Sequence, residues 1–211
     1  MNNLEDTYRQ RHAQFLTPAA KQLELYLNDC LSACHRIDRI CTRAKSVPRF
    51  MQKALKPENE IPKYADPLNQ ILDQIGARVV TFYPSDVEII AQEIKRYFHP
   101  IENKLLVPDG ESEFGYVGQH FLLLLPSDVL AGINEDDDVP KVFELQIKTL
   151  FQHAWAEAEH DLGYKPSNHL TSLQRRKIAF TAAQAWGADQ IFDELYQELE
   201  SRHAANDQLQ I

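Results

Sequence analysis

Ala77-Arg-Val-Val-Thr-Phe-Tyr-Pro84, running straight into Ser85-Asp-Val-Glu88, is the stretch on which the fold turns. Its β-branched and aromatic residues suit a pleated, half-buried surface, and Pro84 cannot donate to a ladder, so the strand stops there. Ser85 and Glu88 have capping-box spacing, which predicts a helix from this point to about Phe98. A strand passing at once into a helix is the unit of sheets with helices packed on them, which puts the chain in the α/β (α+β) class.

Reading outward, Asp109 to Gly115 is polar and leads into a second strand within Tyr116 to Pro126. The acidic loop Asn134 to Pro140 precedes a third strand, Lys141 to Ile147. Thr149 and Gln152 form a second capping box. The helix they open carries Phe151, Ala154, Trp155, Ala158 and Leu162 on one stripe and ends at Gly163. Thr171 and Gln174 repeat the cap before a long C-terminal helix around Ile178, Phe180, Trp186 and Phe192. Upstream, Thr17-Pro18 has the form of an N-cap and first turn. It would open a long helix to about Arg43, on the series Leu23, Leu27, Cys30, Cys34, Ile37, Cys41. On that helical face the three cysteines pack as small hydrophobes rather than as metal ligands or disulfides. Ser46 to Leu55 is a basic loop or short helix, and the Pro-punctuated stretch after it is a surface connection.

Composition narrows the function. Hydrophobic residues at 44% and charged residues at 25% are those of an ordinary globular protein. The longest wholly apolar run, Phe121 to Leu125, is far short of a membrane span, and the N-terminus has no secretory pattern, so the expected location is the cytoplasm. A net charge of −9 opposes binding to long nucleic acid. A local basic excess at Arg43, Lys45, Arg49, Lys53 and Lys56 suits a single nucleotide.

Three features carry chemistry. On the strand Val142 to Ile147, Phe143, Leu145 and Ile147 face one way and Glu144 and Gln146 the other; the pattern alone favours a solvated face over a site wall. Asp73 precedes the Ala77 strand, and were the sheet to bring it near Glu144, the two carboxylates would suit Mg²⁺ with a phosphate-bearing ligand. His153, Glu157, His160 and Tyr164 share a helical face that could bind a metal or a nucleotide. His160-Asp161 also matches the dipeptide of HD phosphohydrolases, but that class is all-helical and the strand signals here oppose it.

Five ordered segments together resemble the synthetase domain of the RelA/SpoT family, in particular the small alarmone synthetases: Arg43-Ala-Lys45-Ser with Lys53; Asp73 to Val80 with Arg78; Phe114-Gly-Tyr116 with His120; Glu144-Leu-Gln146-Ile-Lys148-Thr149; and Trp155 to Lys165. The resemblance implies a nucleotidyltransferase-like mixed sheet of about five strands flanked by helices, with long N- and C-terminal helices. It implies one domain over 1–211, with an N-terminal helical region at 1–42, a catalytic core at 43–165 and a C-terminal helical region at 166–211. By similarity, Arg43 and Arg78 sandwich the adenine of ATP, Lys45 and Lys53 hold its phosphates, and Asp73 and Glu144 carry Mg²⁺. Glu144 also orients or deprotonates the acceptor 3′-hydroxyl of GDP or GTP. Tyr116 stacks on guanine, and His120, Gln146, His160 and Lys165 are further acceptor-side contacts.

The sequence departs from the family where Gly115-Tyr-Val-Gly-Gln-His120 lacks the usual arginine and serine, and where Lys148 replaces an arginine. By the resemblance, the first of these segments lies on the acceptor side, which leaves an adenine nucleotide or the 3′ end of tRNA as alternative acceptors. A nucleotide-sensing module without catalysis is the reading from another class. The apolar residues of the C-terminal helix fit a homo-oligomer.

Overall fold

The expected Ala77 strand is β4 (Ile75–Thr81), one strand of a five-stranded mixed sheet. A computed structural model describes residues 2–58, 61–110, 113–131, 139–163 and 170–208. The sheet runs in the order β1 (Ile37–Ala44), β4, β7 (Val142–Thr149), β6 (Gly118–Leu124), β5 (Pro100–Leu106). The β4–β7 pair is parallel and the other three pairs are antiparallel. Register sets Gly76 beside Glu144 and His120 beside Gln146, so residues from distant parts of the sequence share one sheet face.

The other face of the sheet is the core. Phe143, Leu145 and Ile147 of β7 are fully buried with Val79 of β4 and Phe121 and Leu123 of β6. They pack with Leu23 and Leu27 of α2 (Thr17–Cys30), and Ile90 and Ile94 of α5 (Pro84–Tyr97). α3 (Val47–Ala54), the basic segment after β1, contributes Phe50, which stacks on Tyr8 of α1 (Asn2–Arg11) at 3.6 Å between ring centres. A two-stranded ribbon of β2 (Pro57–Glu58) and β3 (Ile61–Pro62) and the single-turn α4 (Pro67–Gln70) lead to Asp73. α6 (Leu150–Gly163) follows β7 directly, and α7 (Ser172–Gln208) packs on α6 and α5. Among the described residues, no helix is long and apolar enough to cross a membrane.

Both expected caps at Thr149 and Thr171 close: Gln152 N–H donates to Thr149 Oγ1 at 3.1 Å, and Gln174 N–H donates to Thr171 Oγ1 at 3.3 Å. Elsewhere the structure corrects the sequence reading. The N-terminal helix ends at Cys30 instead of reaching Arg43, and residues 37–44 form the edge strand β1, so strand structure begins inside the expected helical region 1–42. The four-and-three spacing of Cys34, Ile37 and Cys41 misled because an edge strand with one face on α2 can bury residues at mixed intervals. Cys30 and Cys34 do pack against the core, whereas Cys41 is exposed on β1. Thr17 is no N-cap: its backbone is helical, and the helix continues back through a π-helical turn at His12–Leu16. That wider turn just before Pro18 accommodates a ring with no N–H to give. At α5 the box is two residues earlier than expected, with Asp86 accepting from the Tyr83 N–H at 3.2 Å, while Ser85 Oγ donates to Asp193 of α7 at 2.5 Å.

Candidate active site

The polar face of β7 does not look onto open solvent. Two cavities lie over it, and Asp73 and Glu144 line both. The first, about 100 Å³, is walled by Arg43, Lys45, Gly76, Arg78 and Gln146. The second, about 330 Å³, is walled by Lys53, Glu102, Lys104, Leu106 and His120. The expectation of a merely solvated face for Glu144 and Gln146 is therefore corrected: β7 is central, and the strands and loops around it close the face into pockets.

Asp73 sits at the end of the segment entering β4, where Gln74, fully buried, ties its own loop by donating to Leu68 O at 2.7 Å and Ile71 O at 2.8 Å. Lys45 Nζ stands 2.9 Å from Asp73 Oδ2 and Lys53 Nζ 3.0 Å from Oδ1. Burial raises the acid's pKa, but the two ammonium groups outweigh it and hold the carboxyl below its usual range. Oδ1 is shielded from water and has no partner in hydrogen-bonding geometry, although Lys53 is close.

Glu144 accepts from His120 Nδ1 at 2.8 Å and from Gln146 Nε2 at 3.3 Å. The His120 bond is the main reason its carboxyl is held below the usual range against the opposing effect of burial. His120 Nε2 in turn lies 2.7 Å from the Tyr116 hydroxyl. Lys148, only 3% exposed, places its ammonium 4.3 Å from the Tyr116 ring centre; burial, helped by the Arg78 charge, pushes its pKa down to about 8.

Arg78 projects from β4 toward α6, where Nη1 donates to Glu157 Oε1 at 2.6 Å and lies 3.1 Å from His153 Nδ1, while its buried Nε has no hydrogen-bond partner. Two members of the polar α6 stripe, His153 and Glu157, thus hold a residue expected at the site. His160 is exposed and lines neither cavity, and Tyr164 and Lys165 lie outside the described residues. The sequence reading missed Glu157 and His153 as partners of Arg78 because nothing local in a helix stripe names a strand residue 75 to 79 positions away. Cys41, opposite Arg78 in the β1–β4 register, also lines the smaller cavity.

The donor set fits Mg²⁺ in kind, since that ion takes one or two carboxylates and fills its remaining positions with phosphate oxygens and water. Asp73 and Glu144 border both cavities. Cations beside the carboxylates supply the positive field that phosphate groups need.

A mixed sheet with two carboxylates at the wall shared by two pockets, each also lined by cations, is an arrangement suited to phosphorylated ligands. The chain belongs to the RelA/SpoT family: the model of the region found in RelA / SpoT proteins matches residues 42–169. GTP pyrophosphokinase YjbM of Bacillus subtilis (strain 168) is 23% identical over 171 residues, covering 80% of this chain and 76% of that protein. The crystal structure of small alarmone synthetase 1 from Bacillus subtilis has the same fold, with a TM-score of 0.72 at 22% identity over 91% of this chain and 99% of that one. The structure of that synthetase bound to its product pppGpp gives 0.71 at 20% identity, over 94% and 99%.

Proposed function

We infer that this chain is a GTP/GDP pyrophosphokinase: it transfers the β,γ-pyrophosphoryl group of ATP to the ribose 3′-hydroxyl of GDP or GTP, releasing AMP and a (p)ppGpp alarmone. The observation that carries this reading is the pair Asp73 and Glu144 on the wall common to both cavities. One ligand in each cavity would meet at those carboxylates, as a transfer between two nucleotides requires.

The smaller cavity suits ATP. The planar guanidinium groups of Arg43 and Arg78 can stack on adenine, and Lys45 and Lys53 can move from Asp73 to the phosphates once these arrive. Asp73 and Glu144 would hold Mg²⁺, which supplies charge neutralisation on the phosphate oxygens as AMP departs. The larger cavity suits the acceptor. Glu144, kept as a carboxylate by His120, takes the 3′-hydroxyl proton as the new O–P bond to the β-phosphorus forms and the bond from that phosphorus to the AMP oxygen breaks. Such substrates are those of the cytoplasm. Leu173, Phe180, Ile191, Leu195 and Leu199 leave apolar area exposed along α7, and association of copies through it is measurable by analytical ultracentrifugation.

The test is incubation of the purified protein with γ-32P-labelled ATP and Mg²⁺, and separately with GDP, GTP, AMP, ADP and bulk tRNA, beside Asp73→Ala and Glu144→Ala. Labelled guanosine tetra- or pentaphosphate, lost in both variants, is the expected result. Label on an adenine nucleotide or on tRNA alone would keep the chemistry and replace the acceptor. ATP binding with no labelled acceptor would make the chain a sensing module.

A further inference from the structure

Gly118 decides where Tyr116 goes. A Cβ at position 118 would stand 2.8 Å from the Tyr116 hydroxyl and 3.2 Å from two of its ring carbons, so a side chain there displaces the ring. With glycine in place, the tyrosine lies against the start of β6 and its hydroxyl reaches His120 Nε2 at 2.7 Å. The opposite ring nitrogen, Nδ1, is 2.8 Å from Glu144 Oε1. A carboxylate can only accept, so Nδ1 carries a hydrogen and donates it. Burial pushes the Tyr116 pKa far above its ordinary value, so the hydroxyl keeps its proton and donates to Nε2. The Lys148 ammonium lies against the Tyr116 ring.

We propose that in this chain Tyr116 and His120 form a positioning relay for Glu144: Tyr116, admitted by Gly118, fixes the His120 tautomer, and His120 fixes the Glu144 carboxylate at the junction of the two cavities. The proposal rests on the pyrophosphokinase reading above and adds one role to it. Tyr116 serves here, through its hydroxyl, as the lock on His120. Glycine in place of the serine expected at position 118 is then the other half of that role, since the smaller residue makes the contact available. His120 is a positioning residue: it acts through Glu144, and Glu144 receives the proton.

The experiment compares steady-state kinetics of the wild type with His120→Asn, His120→Gln, Tyr116→Phe and Gly118→Ser, using ATP, Mg²⁺ and whichever acceptor the wild type labels. Asn sets its amide N–H₂ near the place of Nδ1, whereas Gln sets it near Nε2, so only Asn preserves the donor to Glu144. His120→Gln lowers kcat about 100-fold and His120→Asn about fivefold, the span expected when the partner of an active group is lost or imitated. Tyr116→Phe and Gly118→Ser each lower kcat about tenfold on the same grounds, with the acceptor KM within about twofold of wild type. Calorimetric binding of AMPCPP in the absence of Mg²⁺ stays unchanged in all four, which separates positioning from collapse of the site. Equal losses in His120→Asn and His120→Gln overturn the relay. So does an unchanged kcat for Tyr116→Phe, which keeps the ring for stacking and loses only the hydroxyl that reaches His120. A wild type that labels no acceptor removes the pyrophosphokinase reading itself, and the relay with it, before any variant is compared.

Discussion

The two cavities that meet at Asp73 and Glu144 are built by different means. On the smaller side, charge dominates: Arg43, Lys45 and Arg78 line it, and Arg78 is already fixed by Glu157 and His153. On the larger side, Lys53 stands beside Asp73, Lys104 is paired with Glu102, and a hydrogen-bonded chain runs from Tyr116 through His120 to Glu144. A cation-rich wall selects for phosphate count and tolerates small displacements, because Coulomb attraction falls slowly with distance. A hydrogen-bond chain selects for geometry and is lost within tenths of an ångström. On the reading proposed above, the difference would place affinity on the donor side and timing of proton removal on the acceptor side.

Replacing the group common to both sides tests the division most severely. Glu144→Gln keeps the shape and loses the proton acceptor, and kcat is expected to fall by about three orders of magnitude, within the range for removal of a general base. A fall of less than about tenfold, read by labelled-product assay, would show that Glu144 is not the base. Arg78→Lys keeps the charge and loses the planar fork to Glu157 and His153. It should raise the ATP KM about 30-fold and leave the acceptor KM alone, the loss of a stacked, multiply bonded guanidinium. A change in the acceptor KM instead would break the division into two cavities.

Asp189 lies outside both cavities and serves as a reference. It is 2% exposed, accepts from Thr149 Oγ1 at 2.8 Å, and has one oxygen with no hydrogen-bond partner. Burial pushes its pKa up from 3.8 to about 6. The folded protein therefore holds this proton to higher pH than the unfolded chain, so wild-type stability falls between about pH 4 and pH 6 and stays lower above. Asp189→Asn removes that fall. Its melts should show no gain near pH 4 and a gain on the order of 1 kcal/mol at pH 8; a gain equal at both pH values would rule out the buried charge as its cause. The smallest effect is expected from Lys104→Ala, an exposed and already paired cation: about a twofold rise in acceptor KM that vanishes at high salt.

Much of this was legible in the sequence for reasons that can be named. β4 and β7 are buried in the interior of the sheet, and interior strands must be made of β-branched, aliphatic and aromatic residues, so Ala77–Phe82 and Val142–Ile147 declared themselves. β5, Pro100–Leu106, is an exposed edge with Glu102, Asn103 and Lys104 in it, and nothing in burial forces such a strand to look like one. β1 was hidden by a spacing that also fits a helix. In the site, Asp73, Glu144, Lys45 and Lys53 were identifiable as residue types suited to phosphate and metal. Their mutual ion pairs and the Arg78–Glu157 bridge were not, because those follow from sheet order, which local patterns do not encode.

The parallel pairing of β4 with β7 also governs when activity can first exist. Gly76 and Glu144 become neighbours only after about a third of the chain has been looped between them, and long loops of this kind close late because their entropy is lost before their contacts form. The antiparallel neighbours β5 and β6 are joined by a far shorter connection and can pair early. Asp73 and Glu144 therefore meet only when the sheet zips across its centre. A nascent or partly folded chain holds the basic segment and the lysines but not the shared carboxylate wall, so on the proposed reading catalysis would be confined to molecules that have finished folding.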